Sequence, residues 1–418
     1  CMSGPEPVRS ERALIALVGA IQFVNVLEFM IVMPMGPDFA RALGIPASEL
    51  GLVGGSYTAA ACVAGLAGSF FLDRFPRRSV LVATMAGLSL ATLACALAVD
   101  LPTLLLARVA AGVFGGPATA VAIAIVTDAI PPERRGRAMG AVMGAFSAAS
   151  VLGVPLGLEL ARLVDWRAPF LAVACLGLGT VSLARLLLPR LDAHLRDGPP
   201  PRPGLGALMR LVARREVLLA YALVLLTMFS GFLLIPNISA LLQLNFGYPR
   251  DGLGTLYLVG GSVSFFVMRL AGRLVDRHGA ARVLAAGALA VCLLVWVWAV
   301  VQTRAVPVLA VFVAFMASQS IRNVAQQTLT SRVPGPAERA SFQSLQSAVQ
   351  HAAGSIGAMG SSLLLAEIDG RLVGVDRLGW LAIACTVAAI PIAFALEHRL
   401  APGTHLAPPV ARPARDAG

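Results

Sequence analysis

The chain has 418 residues, 57% of them hydrophobic and only 13% charged, with a formal net charge of +11. So few polar groups cannot cover a water-soluble body of this size, which excludes an ordinary globular fold. The positive charge does not indicate nucleic acid, because the arginines lie in short segments between apolar runs rather than along one basic face.

A helix needs about 20 apolar residues to cross the hydrocarbon of a bilayer. Twelve such stretches follow one another, at 13–35, 50–72, 80–99, 101–126, 138–163 and 169–188, then at 217–242, 252–274, 281–302, 306–329, 341–366 and 378–396. The first is too long, and too free of a following small-residue cleavage site, for a secretory signal, and reads as a retained span. The segment 189–216, with Pro199-Pro200-Pro201 and many arginines, reads as a linker. Residues 1–12 and 398–418 read as tails, leaving 13–188 and 217–397 as two six-helix halves.

The halves repeat one another. Leu52-Val53-Gly54-Gly55-Ser56, leading to Asp73-Arg74 with Arg77 and Arg78, returns as Leu258-Val259-Gly260-Gly261-Ser262, leading to Asp276-Arg277 and Arg282. Phe29 to Pro34 returns as Phe232 to Pro236, and the Arg135 loop returns at Arg339. The copies run in the same direction roughly 200 residues apart, as in two-halved transporters. The expected fold is therefore an all-α membrane protein of 12 transmembrane helices in two pseudo-symmetric six-helix bundles. Arginines gather at alternate connections, at Arg9 and Arg12, Arg74 to Arg78, Arg134 to Arg137, the central linker, Arg277 and Arg282, Arg332 and Arg339, and Arg399. By the positive-inside rule that side, with both termini, is cytoplasmic.

Within the spans, charged and polar residues mark candidate chemistry. Glu28 is the most isolated acid, and burial and a neighbouring guanidinium act oppositely on a carboxylate, so its protonation is tunable. Arg108 lies about two turns into the fourth stretch, where an arginine costs about 2.5 to 3.5 kcal/mol and should face the bundle interior. A fixed Glu–Arg bridge that only joins helices is the alternative to a proton site. Gly153, Pro155 and Gly157 permit close helix packing and a kink; Glu159, near the end of that span, ranks below Glu28 as a proton site. The second half is more polar, with Gln319, Arg322, Asn323, Gln326 and Gln327 sharing a helical face and Gln346, Gln350 and His351 on the next span. His351 is read as a hydrogen-bonding packing residue rather than an obligate proton carrier. Asn25, Phe29, Tyr57, Phe232, Asn237, Arg322 and Gln350 are the expected contacts of a central cavity. The cysteines of the spans show neither metal-ligand spacing nor a disulfide framework, and no phosphate loop or catalytic constellation suggests an enzyme.

These motifs resemble those of the major facilitator superfamily, and within it the bacterial twelve-span drug:proton antiporters. The family pattern Gly-x-Leu-Ala-Asp-Arg-x-Gly-Arg-Arg is met by Ser69-Phe70-Phe71-Leu72-Asp73-Arg74-Phe75-Pro76-Arg77-Arg78, with both glycines replaced; the second copy keeps them as Gly272 and Gly279. Arg108-x-x-x-Gly112 matches the motif of the fourth helix, and the Gly153–Gly157 stretch resembles the antiporter motif of the fifth with its proline displaced. The resemblance implies the major facilitator fold and alternating access by rocking of the halves. It implies a conformational latch of Asp73, Arg77 and Asp128, echoed by Asp276 and Arg282, and a proton-coupling pair of Glu28 and Arg108. The implied function is proton-coupled export of small molecules or drugs, with no cofactor beyond the proton gradient, by a monomer in the bacterial inner membrane. Its partners would be a small-molecule substrate, protons and the lipid bilayer. Export or facilitated movement of a sugar or natural product, and a non-transporting receptor, are the alternatives.

Overall fold

The computed structural model describes residues 11–188, 205–335 and 338–400, so the outer parts of both expected tails and residues 189–204 of the linker lie outside the described residues. The first half comprises α1 (Glu11–Ile31), α2 (Gly36–Leu43), α3 (Leu50–Phe71), α4 (Arg77–Ala96), α5 (Leu101–Ala129), α6 (Pro132–Ala148), α7 (Val154–Leu163) and α8 (Arg167–Leu187). The second comprises α9 (Leu205–Ala213), α10 (Arg215–Leu234), α11 (Ile238–Leu244), α12 (Gly252–His278), α13 (Ala280–Val295), α14 (Val308–Ser331), α15 (Arg339–Leu364), a hairpin of β1 (Ala366–Ile368) and β2 (Arg371–Val373), and α16 (Val375–Leu400).

Eleven helical spans among the described residues are long and apolar enough to cross a membrane. The twelfth expected span is α15, which has the length, 26 residues, but carries the serines, glutamines and histidine that turn toward the centre of the molecule. Both ends of α5 show how local chemistry sets boundaries. Asp100 accepts a hydrogen bond from the Thr103 backbone N–H at 2.9 Å in a capping box. The Thr103 hydroxyl and backbone N–H together hold the exposed Asp100 carboxyl below its usual range. Pro131 and Pro132 then stop α5 and open α6, since proline suits the first turn of a helix but not its interior.

One expectation needs correction. The first and seventh spans are not continuous: α1 ends at Ile31 before a turn containing Pro34, and α10 gives way to a 3₁₀ turn, Ile235–Asn237, at Pro236. The repeated proline breaks the same helix in both halves because it lacks an N–H and clashes with the preceding turn. The expected linker contains a described helix, α9. The connection after α15 forms the β1–β2 hairpin, whose Leu372 N–H and C=O are both taken by the Asn245 side chain at 2.9 Å.

The halves meet along two seams, α3 against α15 and α7 with its preceding π turn (149–153) against α12. The duplicated glycines occupy both. A Cβ on Gly55 would run into Met359, and one on Gly261 would lie 3.0 Å from the Ser150 carbonyl oxygen. In lipid, where apolar contact alone does not favour helix association, small residues allow the close backbone approach that does.

Candidate functional site

Spans that follow one another in the chain run in opposite directions, so one face of the molecule carries the first and last described residues, Glu11 and Leu400 (the termini face), and the other the connections 32–49, 244–251 and 365–374. On this far face the halves are tied by polar bonds. Arg250 donates to Asp38 Oδ1 at 2.6 Å and to the Leu158 carbonyl at 3.0 Å, and its ion pair with Asp38 brings Oδ2 within 2.6 Å as well. Arg41 donates to Gln243 at 2.6 Å, and the Ala47 N–H donates to Glu367 at 2.7 Å. Farther along the α3–α15 seam Ser355 donates to the Gly55 carbonyl at 3.0 Å. Asp38 and Glu367 were not singled out as functional from sequence; an acid on the arginine-poor side of a half was the available signal.

Between the halves lies a cavity of about 450 Å³ that extends from the centre toward the termini face. The first half lines it mainly with apolar groups, Phe29, Met30, Met33 and Phe146, interrupted by Thr58, Ser147 and Ser150. The second half contributes Phe232 and Phe315 together with Gln319, Arg322, Asn323 and Gln350, and His351 also lines it. Of the expected cavity residues, Phe29, Phe232, Arg322 and Gln350 line it. Asn25, Tyr57 and Asn237 do not line it in this conformation. Asn25 donates to the Gly115 carbonyl at 3.1 Å and to Thr119 at 2.6 Å. Asn237 donates to Ser361 at 2.8 Å and faces a separate apolar cavity of about 20 Å³.

Glu28 and Arg108 are both fully buried and form an ion pair, from α1 and α5 respectively. Tyr57 of α3 lies with its ring 4.7 Å from the Arg108 guanidinium carbon, a cation–π arrangement. Its place depends on glycine: a Cβ on Gly112 would strike the Tyr57 carbonyl, and one on Gly115 would strike its hydroxyl. Phe29 makes ring contacts with Tyr57 at 5.2 Å and Phe232 at 6.2 Å, and so links the pair to the cavity wall. Glu28 Oε2 and Arg108 Nε make no hydrogen bond within the protein. Gly153 and Gly157 receive Leu27 and Ile31 of α1, and Pro155 follows the π turn. Glu159 is ion-paired with Arg162 one turn later on the exposed surface.

The second buried arginine is Arg322 of α14, 2% exposed. It donates to the Ser230 hydroxyl and the Thr227 carbonyl, each at 3.2 Å. Among the described residues no carboxylate pairs with it. The polarity of α14 flagged Arg322, but nothing in the sequence showed that a serine would stand opposite it.

At the termini face, Arg77 donates to Asp128 at 3.1 Å, joining α4 to α5 within the first half rather than bridging the halves. The Asp73 side chain lies outside those described. Asp276 and Arg282 are both exposed and form no ion pair with each other. The start of α13 is held instead by Glu397 of α16, which accepts from the Ala280 and Ala281 N–H groups at 2.7 and 3.2 Å, using the unsatisfied donors and positive end of that helix.

The chain matches the family model described as Major Facilitator Superfamily over residues 18–358. It is 28% identical over 388 residues to a protein named Chloramphenicol resistance protein from Streptomyces lividans, covering 91% of this chain and 95% of that one. It is also 28% identical over 231 residues to the uncharacterized MFS-type transporter YfhI of Bacillus subtilis, where the match spans 55% of this chain and 56% of the relative. Among solved structures, a D-xylose-proton symporter superposes with a TM-score of 0.76 at 15% identity, covering 93% of this chain and 99% of that one.

Proposed function

The chain belongs to the major facilitator superfamily, and on that premise we propose that it exports a small molecule in exchange for protons. It is a multi-pass membrane transporter, not an enzyme. The observation that carries the antiport reading is the Glu28–Arg108 pair, fully buried in α1 and α5 and linked to the cavity through Tyr57 and Phe29. A carboxylate held by one guanidinium retains charge while paired. Protonation removes the Coulombic attraction that holds the two helices together at that point, and this gives a route from proton binding to helix rearrangement. Each charge crossing the membrane potential contributes about 2.3 kcal/mol per 100 mV.

In this reading the termini face is cytoplasmic and the membrane is the bacterial inner membrane, so closure of the far face by Arg250 and Asp38 makes this conformation inward-facing. Asp73, Arg77 and Asp128, with Asp276 and Arg282 in the second copy, serve as a conformational latch, and a monomer suffices. Resistance as the named role of the Streptomyces relative supports outward transport of a drug-like molecule.

The test is reconstitution in vesicles loaded with a pH-sensitive dye, with a proton gradient imposed and cargo added, alongside Glu28→Gln. Cargo-triggered proton movement that disappears in Glu28→Gln is expected. Cargo flux indifferent to the gradient and to the substitution makes the protein a facilitator. Binding without flux makes it a receptor.

A further inference from the structure

The wall of the cavity is electrically one-sided. Among the described lining residues none is Asp or Glu, and Arg322 is the one formally charged side chain. The guanidinium offers five N–H donors, and two are engaged, both by neutral oxygens at 3.2 Å. That is longer than the 2.7 to 2.9 Å typical of a charge-assisted bond to a carboxylate. Arg322 Nε makes no hydrogen bond within the protein.

The acids of the second half do not compensate it. Glu216 and Glu338 are paired with Arg399 and Arg214 at the termini face, Glu397 caps α13, and the others stand at helix ends or in connections. A buried, uncompensated cation in a membrane protein is costly, and such residues characteristically face a pathway. Around it, Gln319, Asn323 and Gln326 each have a buried side-chain oxygen unbonded within the protein, which leaves amide groups able to accept from a polar cargo. On the opposite wall Phe29, Met30 and Met33 present an apolar surface.

We propose that Arg322 is the anion-binding residue of the cavity, and that the cargo is an amphiphilic organic anion. Its oxyanion head is held by Arg322 near Ser230, and its aromatic or aliphatic body lies against Phe29, Phe232 and the methionines. This assignment of substrate class rests on the transport reading above. It runs against a lipophilic cation as cargo, for which the wall provides no counter-charge. Bidentate geometry makes arginine well matched to carboxylate and phosphate alike, and the cavity volume suits a molecule of drug size.

The test uses purified full-length protein and fluorescence titration with three dansyl probes that share one body: dansylglycine (anion), dansylamide (neutral) and N-(2-aminoethyl)dansylamide (cation). A naphthyl carboxylate, amide and amine form a second such series. The anion of at least one series is expected to bind about tenfold or more tighter than its neutral and cationic counterparts. Arg322→Gln should abolish that preference and Arg322→Lys retain part of it. Ser230→Asp, which supplies the missing counter-charge while leaving Arg322 in place, should also abolish it; size-exclusion profiles verify that each variant is folded. Equal binding within both series, a preference for the cation, no binding of any probe, or an anion preference that survives Arg322→Gln overturns the proposal. Flux in vesicles separates the two readings. Anion preference without proton-linked flux leaves the anion site standing and refutes antiport, whereas proton-linked flux without anion preference does the reverse.

Discussion

Arg108 and Arg322 occupy the fourth spanning helix of their respective halves, and both reach the first. The positions they meet are equivalent: Glu28 stands six residues before Pro34, and Ser230 six residues before Pro236, the prolines that interrupt those two helices. In the first half the guanidinium meets a carboxylate and is sealed away under Tyr57. In the second it meets a hydroxyl and faces the cavity. One side-chain difference on a duplicated scaffold thus separates a self-neutralised pair from a charge left for a ligand. Pseudo-symmetry supplies two matched frameworks, and asymmetry at a single register position gives them different chemistry.

The sharpest way to break this comparison is to unbalance the first half. Arg108→Met leaves Glu28 buried without its counter-charge and should destabilise the fold by about 3 to 5 kcal/mol, whereas the double variant Glu28→Leu with Arg108→Met should recover most of that loss. Denaturation in detergent micelles measures both; a double variant as unstable as the single one would show that the pair is not isolated from its surroundings. Next in size, Gly115→Ala forces a methyl into Tyr57 and should cost about 1 to 3 kcal/mol. In the second half Gly231→Ala, beside Ser230 on α10, places a new Cβ that would meet nothing nearer than 3.6 Å and should lose less than about 0.5 kcal/mol. Thermal unfolding of the two variants side by side tests whether the surroundings of the sealed pair are packed more tightly than those of Arg322. Last comes Arg322→Met. It removes two bonds to neutral oxygens but also an uncompensated buried charge, so stability should stay within about 1 kcal/mol of the parent or rise. A loss as large as that of Arg108→Met would mean that Arg322 has a structural partner after all.

Much of this architecture was legible in the residues. Apolar stretches of bilayer length located the spans, and the repeated Leu-Val-Gly-Gly-Ser and proline signals gave the two halves. Glu28, Arg108 and Arg322 stood out because charge is rare in such surroundings. The misplacements have a common origin. Asn25, Tyr57 and Asn237 are polar groups on helices that border the cavity, but their hydrogen-bonding or ring partners, Gly115 and Thr119, Arg108, and Ser361, lie on other helices. Helical periodicity says which residues share a face, not which neighbour that face meets. The β1–β2 hairpin escaped notice because it is held by Asn245 and Glu367 contacts across long separations.

By itself, then, the sequence determined the membrane class, the spans, the duplication and the inventory of buried charges, since these follow from matching apolar length to bilayer thickness and from local composition. Only the tertiary structure decided which charge is neutralised and which is left facing a cavity. Glu28 and Arg108 are 80 residues apart, and Arg322 and Ser230 are 92. An ion pair acts over a few ångströms between side chains, and whether such distant residues come that close depends on how the helices pack rather than on any local pattern.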